Sequence, residues 1–443
     1  MFSWMKSAKP KPLITDEKEI NDTYKYWRIH IMIGLYLGYA TFYLTRKSFN
    51  YVMPEMIKDL GLSLADVGIL STAFYLVYGI SRFASGVISD ASNPRYFMGI
   101  GLILTGVLNI LFGMGSTLWI FAILWIANAF FQGWGWPPCS KSLTVWYSRN
   151  ERGLWWAICN TSHNVGGAII PLLAGGLAVH YGWRYGMYIP GLIAIIMGFV
   201  VCWRLRDKPT SMGLPTVGVW RNDESELQQE ELSKKMGVWE ILVTYIFTNK
   251  YIWLLAVSYV LVYIVRIGLN DWANLYLVKE YGWGLVKANS ALSFLEIGGF
   301  IGTIVAGWGS DVLFKGNRTP MNIIFMVGIG IAAAILWLFP NIGYGLIAGC
   351  FFFLGFFIFG PQMLIGISAA EAAHKDSAGA ATGFVGLFGY LGAAISGYPL
   401  AKIIESSGWD GFFTTMIVAT LASAVLLIPL LSSKNPSRTK KSY

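Results

Sequence analysis

Most of this chain alternates long apolar runs with short polar breaks. The runs fall near 29–52, 65–89, 96–116, 118–141, 153–179, 185–203, 251–277, 288–312, 320–339, 342–368, 377–403 and 409–431. Each can cross a hydrocarbon core of about 30 Å as a helix. Lipid offers the backbone no hydrogen-bond partner, so such runs fold as helices that satisfy their own amides. Charged residues make up only 13% of the 443, against roughly 25% in soluble domains. Mean hydropathy is +0.54. That much apolar surface cannot be hidden from water, which excludes a soluble enzyme, a nucleic-acid-binding module and a disordered chain. The expected fold is an all-α membrane protein with 12 transmembrane helices.

The remaining charge is arranged by side. With an even number of spans both termini share one face, and an excess of Lys and Arg marks the cytoplasmic loops. Placing the termini in the cytoplasm puts 23 of the 33 Lys and Arg there and five in outer loops. The other five, Arg46, Lys47, Arg82, Lys141 and Arg266, fall within or at the ends of apolar runs. The net charge of +9 is thus mostly topological and does not point to nucleic acid. Residues 1–28 have no apolar core and read as a cytoplasmic tail rather than a cleaved signal. Residues 204–250, with ELQQEELSKK at 226–235, read as a cytoplasmic linker bearing short surface helices. They separate two halves, 29–203 and 251–431, and a basic tail follows at 432–443. Cys139, Cys159, Cys202 and Cys350 form no C-x-x-C or zinc pattern and read as packing residues.

The halves repeat. Tyr39, Tyr43, Arg46 and Asn50 recur as Tyr259, Tyr263, Arg266 and Asn270, all at an offset of 220. Gly86 and Asp90 recur as Gly307 and Asp311 at an offset of 221. Spacings of 4, 3 and 4 put each set on one helical stripe. Parallel six-helix repeats of this kind place a substrate site between them near the bilayer midplane.

An arginine at that depth costs at least about 2.5–3.5 kcal/mol and usually faces a polar path. Arg46 and Lys47, late in their helix, have a plainer reading: they snorkel to the interface. Arg266 sits mid-span and its match carries Arg46 with it. Glu296 reads as the only carboxylate deep in a span, so deep cations outnumber anions, and an anionic ligand accounts for the imbalance. Paired guanidinium forks suit phosphate or carboxylate oxygens and stay charged. Lys47 and Arg82 join them as phosphate-binding candidates. His163 is either a packed, hydrogen-bonded ring or a group that pairs with a phosphate dianion. Asn160 and Asn164 make its face polar. Tyr39, Tyr43, Tyr78, Tyr263 and Tyr390 are aromatic packing or hydroxyls for a polyol, with Gln132 beside them. Asp90 and Asp311 are helix-end caps or a cytoplasmic latch. Nothing resembles an ATP site, a metal site or a catalytic set, so no cofactor is expected and the chain is not read as an enzyme.

FFQGWGWPPC (130–139), ERG (151–153), SHNVGG (162–167), FGPQMLIG (359–366) and TGFVGLFGYLGA (382–393) resemble the organophosphate:inorganic phosphate antiporter family of the major facilitator superfamily. GYATFYLTRKSFN (38–50), RYFMGIGLILTG (95–106) and WRLRDKP (203–209) look closest to its hexose-phosphate sensor-type members. The resemblance implies that Arg46 and Arg266 are the phosphate-binding pair and His163 the binding-site histidine. It makes Glu296 a residue that exchanges salt bridges during the cycle, and the tyrosines cavity residues. Arg82 stands where relatives often carry lysine. Near Gly392 and Ala393 the chain lacks the acidic residue of the dedicated hexose-phosphate transporter.

The expected function is exchange of a hexose phosphate, foremost glucose 6-phosphate, for inorganic phosphate across a bacterial inner membrane by a monomer. Two like charges about 10 Å apart at an effective dielectric of about 20 repel by roughly 1.7 kcal/mol. An empty site therefore resists closing and a loaded one does not, which makes exchange obligatory. The alternative is a membrane receptor for external glucose 6-phosphate that signals through a partner histidine kinase.

Overall fold

The computed structural model describes residues 5–223, 247–339, 343–372 and 378–431. They are overwhelmingly helical. The helices are α1 (Glu17–Leu60), α2 (Leu64–Ala91), α3 (Pro94–Met114), α4 (Leu118–Gln132), α5 (Trp136–Trp146), α6 (Arg149–Tyr181), α7 (Tyr185–Arg204) and the short α8 (Val217–Arg221). Beyond the linker come α9 (Lys250–Glu280), α10 (Leu285–Val312), α11 (Arg318–Leu338), α12 (Tyr344–Ala372), α13 (Ala378–Ile395) and α14 (Tyr398–Leu427). Among the described residues ten stretches are long and apolar enough to cross a membrane. The charged α1 is not one of them, and α13 and α14 share the single stretch Ala381–Leu430.

Local chemistry explains where the helices depart from the apolar runs. α1 starts at Glu17, inside the segment read as a tail. Asp16 Oδ1 accepts from the Lys18 backbone N–H at 2.9 Å, and Glu17 and Glu19 place negative charge in the first turn. The fourth run divides into α4 and α5 at Gly133–Gly135. Pro137 and Pro138 follow in the first turn of α5, where a missing N–H breaks no helical bond. Gly408 interrupts α14 with φ +65°, a left-handed value open to glycine.

The chain divides into two compact units. One comprises Met1–Ser48, Ile80–Gly167 and Arg184–Lys235; the other comprises Phe49–Gly79, Ala168–Trp183 and Met236–Tyr443. In the first, α3 and α7 touch backbone to backbone: a Cβ on Gly106 would lie 2.5 Å from the Gly191 carbonyl oxygen. In the second, a Cβ on Gly298 of α10 would collide with the Phe352 carbonyl oxygen of α12. Lipid provides no hydrophobic drive between helices, so close approach through small residues carries much of the packing.

The second unit also holds the ends of α1, α2 and α6 by side-chain hydrogen bonds. Asn274 Nδ2 donates to the Asn50 carbonyl at 2.7 Å and Asn289 Nδ2 to the Tyr51 carbonyl at 3.0 Å. Trp183 Nε1 donates to Asp59 Oδ2 at 2.9 Å, and Thr72 Oγ1 to the Ala394 carbonyl at 2.8 Å.

In the first unit the segment before α1 runs along the start of the linker. Lys11 N–H donates to Thr210 O at 2.9 Å and Ile14 N–H to Gly213 O at 2.8 Å. Buried Asp207 accepts from Ser7 Oγ at 2.6 Å and from the Ala8 N–H at 2.7 Å. The linker's described part forms a 3-10 turn at Pro209–Met212 and then α8. The run 226–235 and the basic tail 432–443 lie outside the described residues.

Candidate functional site

The expected site residues fall in both units, and each set is coherent by itself. In the first unit, α1 presents Tyr39, Tyr43, Arg46 and Lys47, at 5%, 6%, 8% and 4% exposure. Both basic side chains are therefore buried rather than snorkelling. Arg46 Nε donates to Gln132 Oε1 on α4 at 3.1 Å. Gln132, wholly buried, holds its own orientation by donating Nε2 to Thr45 Oγ1 at 2.8 Å. The guanidinium lies 4.5 Å from the Tyr43 ring centroid, and Lys47 Nζ lies 5.8 Å from the same ring. Cations over an aromatic face are stabilised by its quadrupole, which offsets part of the desolvation cost without neutralising the charge.

His163 joins this cluster from α6, its ring 5.5 Å from Tyr43. Its Nδ1 bonds the backbone carbonyl of Asn160. A carbonyl oxygen only accepts, so Nδ1 carries the hydrogen, and Nε2 gains one only when the ring is cationic. Asn164 is buried beside it in sequence and Asn160 is half-buried. Tyr39 packs on Tyr43 at 5.7 Å and on Trp136 at 5.0 Å. Trp136 is a half-buried neighbour that residue-type reasoning passed over. Arg82 lies half-buried on α2.

In the second unit Arg266 on α9 is 5% exposed. Its guanidinium lies 4.8 Å from the Phe359 ring and 5.6 Å from Tyr263. Tyr263 meets Tyr390 of α13 at 5.7 Å, and Tyr78 from α2 meets Tyr390 at 4.8 Å, both edge to face. Tyr259 donates to the Gln362 carbonyl at 3.0 Å and lies 3.5 Å, oxygen to oxygen, from Tyr263. Four of these aromatics, Tyr78, Tyr259, Tyr263 and Tyr390, thus bring hydroxyl groups.

Glu296, 1% exposed on α10, is not the only carboxylate deep in a span: Asp271 on α9 is 2% exposed. Asp271 follows the stripe residue Asn270, and an eye kept on the repeat passes over it because its counterpart Tyr51 carries no charge. Its Oδ1 accepts from Asn50 Nδ2 and from the Tyr75 hydroxyl at 3.1 Å. The matched asparagines therefore differ: Asn50 reaches Asp271, whereas Asn270 donates back to the Arg266 carbonyl at 2.9 Å. The charge imbalance narrows but keeps its sign: three buried bases, Arg46, Lys47 and Arg266, outnumber two buried acids, Asp271 and Glu296, among these spans' described residues. Both acids belong to the second unit.

Of the proposed latch residues, Asp311 is exposed and pairs with Arg318, which also reaches Glu371 at 3.1 Å. The side chain of Asp90 lies outside the described residues. Among the described residues no group of three or more His, Cys, Asp or Glu could hold a metal ion.

The sequence matches the Major Facilitator Superfamily profile over residues 35–397. It is 56% identical to the membrane sensor protein UhpC of Salmonella typhimurium, covering 99% of each chain. It is 47% identical to a probable hexose phosphate transport protein of Chlamydia trachomatis, covering 100% of each. The fold resembles that of a bacterial homolog of the human lysosomal transporter Spinster in an inward-facing, unoccupied conformation. The TM-score is 0.71 at 15% identity, with 91% of this chain and 95% of that one covered. The chain is a multi-pass membrane protein of the Major Facilitator Superfamily and belongs, within it, to the organophosphate:inorganic phosphate antiporter family.

Proposed function

We propose that this chain exchanges a hexose phosphate, foremost glucose 6-phosphate, for inorganic phosphate by alternating access in a bacterial inner membrane. One observation carries the reading: Arg46 and Arg266 occupy equivalent places in a repeated stripe, and each is buried against an aromatic ring. In this reading the phosphate is bound by both arginines, with Lys47, His163 and Arg82 adding positive charge or donors. The tyrosines, Gln132, Asn160 and Asn164 sort the sugar. Glu296 exchanges ion pairs during the cycle, while Asp90 and Asp311 latch the cytoplasmic side. The moving bodies are the halves 29–203 and 251–431, twelve helices joined by the linker 204–250. Both termini are cytoplasmic, the working unit is a monomer, and the partners are sugar phosphate, phosphate and the bilayer.

A second reading has its own support in the 56% identity to a membrane sensor protein. There the same site receives external glucose 6-phosphate, and the output passes to a histidine kinase. Purified chain in proteoliposomes separates the two. Uptake of labelled glucose 6-phosphate by the protein alone supports the transporter. Tight binding of the sugar phosphate with no flux under any internal condition supports a receptor.

A further inference from the structure

A second basic cluster lies away from these residues, where α1, α3 and α7 come together at one end of the first unit. A Cβ on Gly34 of α1 would meet the Arg204 Cβ at 3.4 Å and the Leu205 side chain at 3.0 Å, so α1 and α7 are in direct contact there. Arg95, in the first turn of α3, donates Nε to the Cys202 carbonyl near the end of α7. Arg206, just past α7, donates Nη1 to the Trp203 and Leu205 carbonyls, both at 2.8 Å, and lies 4.1 Å from the Trp27 ring. Arg204 lies 5.6 Å from the Trp203 ring. Among the described residues no carboxylate pairs with Arg95, Arg204 or Arg206. The nearby Asp207 is turned to Ser7, Ala8 and Lys141 instead. Burial, and then repulsion from Arg95, pull Arg206 below its ordinary value.

Three half-buried guanidiniums with no paired acid lower their energy by gathering an anion. The surroundings say which kind. Trp203 is 66% exposed, as expected of an indole at the headgroup level of a bilayer. Below it on the same face of α7, at intervals of 4 and 3, stand Phe199 and Ile196, also exposed. A ligand held here has a charged end at the arginines and an apolar stripe running beneath it. From this we infer that Arg95, Arg204 and Arg206 form a binding site for the phosphate headgroup of an anionic phospholipid. Basic pockets between helix ends bind such headgroups, and the guanidinium forks favour a phosphodiester with no compensating ammonium.

The test uses the full chain purified in detergent, mixed with phosphatidylglycerol or with phosphatidylcholine of the same acyl chains. Retained lipid is counted by native mass spectrometry. Phosphatidylglycerol should be retained at least about fivefold better. Arg204→Gln should remove most of that preference, Arg204→Lys should keep it, and Lys58→Gln at the other end of α1 should not alter it. Arg204 caps no carbonyl, so its loss spares the end of α7. Arg95→Gln read the same way gives an independent measure should Arg204→Gln fold poorly. Equal retention of the two lipids, or an unchanged preference in the glutamine variants, would overturn the assignment. So would displacement of phosphatidylglycerol by millimolar inorganic phosphate, which would make this a site for soluble anions.

Discussion

Arg46 and Gln132 form a buried pair, the arginine's Nε–H donating to the amide oxygen at 3.1 Å while the amide nitrogen donates to Thr45. The amide fixes the plane of the guanidinium without cancelling its charge, as a carboxylate partner would.

Gln132→Leu should therefore keep the charge and lose the aim. A hydrogen bond to a charged group contributes about 1.5–3 kcal/mol, so the half-saturating hexose phosphate concentration should rise about tenfold or more. Exchange assays with variant protein at matched reconstitution check this. An unchanged value would mean that Arg46 needs no positioning.

Lysine substitution separates charge from geometry. Arg46→Lys and Arg266→Lys each retain one positive charge but replace a planar fork with a point donor. Each should lower exchange by at least about thirtyfold while gel-filtration behaviour stays normal. Near-normal exchange in either variant removes that arginine from phosphate recognition.

His163 gives a pH signature. With Nδ1 committed to the Asn160 carbonyl, Nε2 can donate to phosphate only on the cationic ring. Affinity supplied by the cationic ring is present at low pH and is lost as pH rises and the ring gives up its proton. Phosphate's own second ionisation, near pH 6, is common to wild type and His163→Gln. Their affinity ratio should thus shrink from pH 6 to pH 8. A constant ratio would assign the ring to packing.

Asp271→Ala leaves the donors of Asn50 and Tyr75 without this acceptor in a buried place. An unsatisfied buried donor costs about 1–3 kcal/mol, so the thermal unfolding midpoint of the purified protein should fall clearly. Asp271→Asn, which keeps one oxygen, should fall less. Equal midpoints for all three proteins would show that these bonds carry no stability.

The fold was legible because lipid imposes one rule, long apolar helices, and the two arginines were legible because the repeat marks them at an offset of 220. Details that depend on three-dimensional neighbours were not. Asp271 stands outside the stripe, and only the approach of Asn50 and Tyr75 picks it out. Gln132 stood out by type, yet its hold on Arg46 joins residues 86 positions apart. Trp136 reads as ordinary aromatic content until its ring is found 5.0 Å from Tyr39. The first turn of α1 lay in a polar segment, where capping rather than hydropathy sets the boundary.

Every role assigned to Arg46 and Arg266 depends on phosphate-coupled exchange. The most direct measurement is uptake of labelled glucose 6-phosphate into proteoliposomes containing only this protein, half loaded with inorganic phosphate and half phosphate-free. Phosphate-coupled exchange requires rapid uptake into the loaded vesicles, with phosphate leaving in step, and little into the empty ones. Equal uptake into both, or none into either, would contradict it.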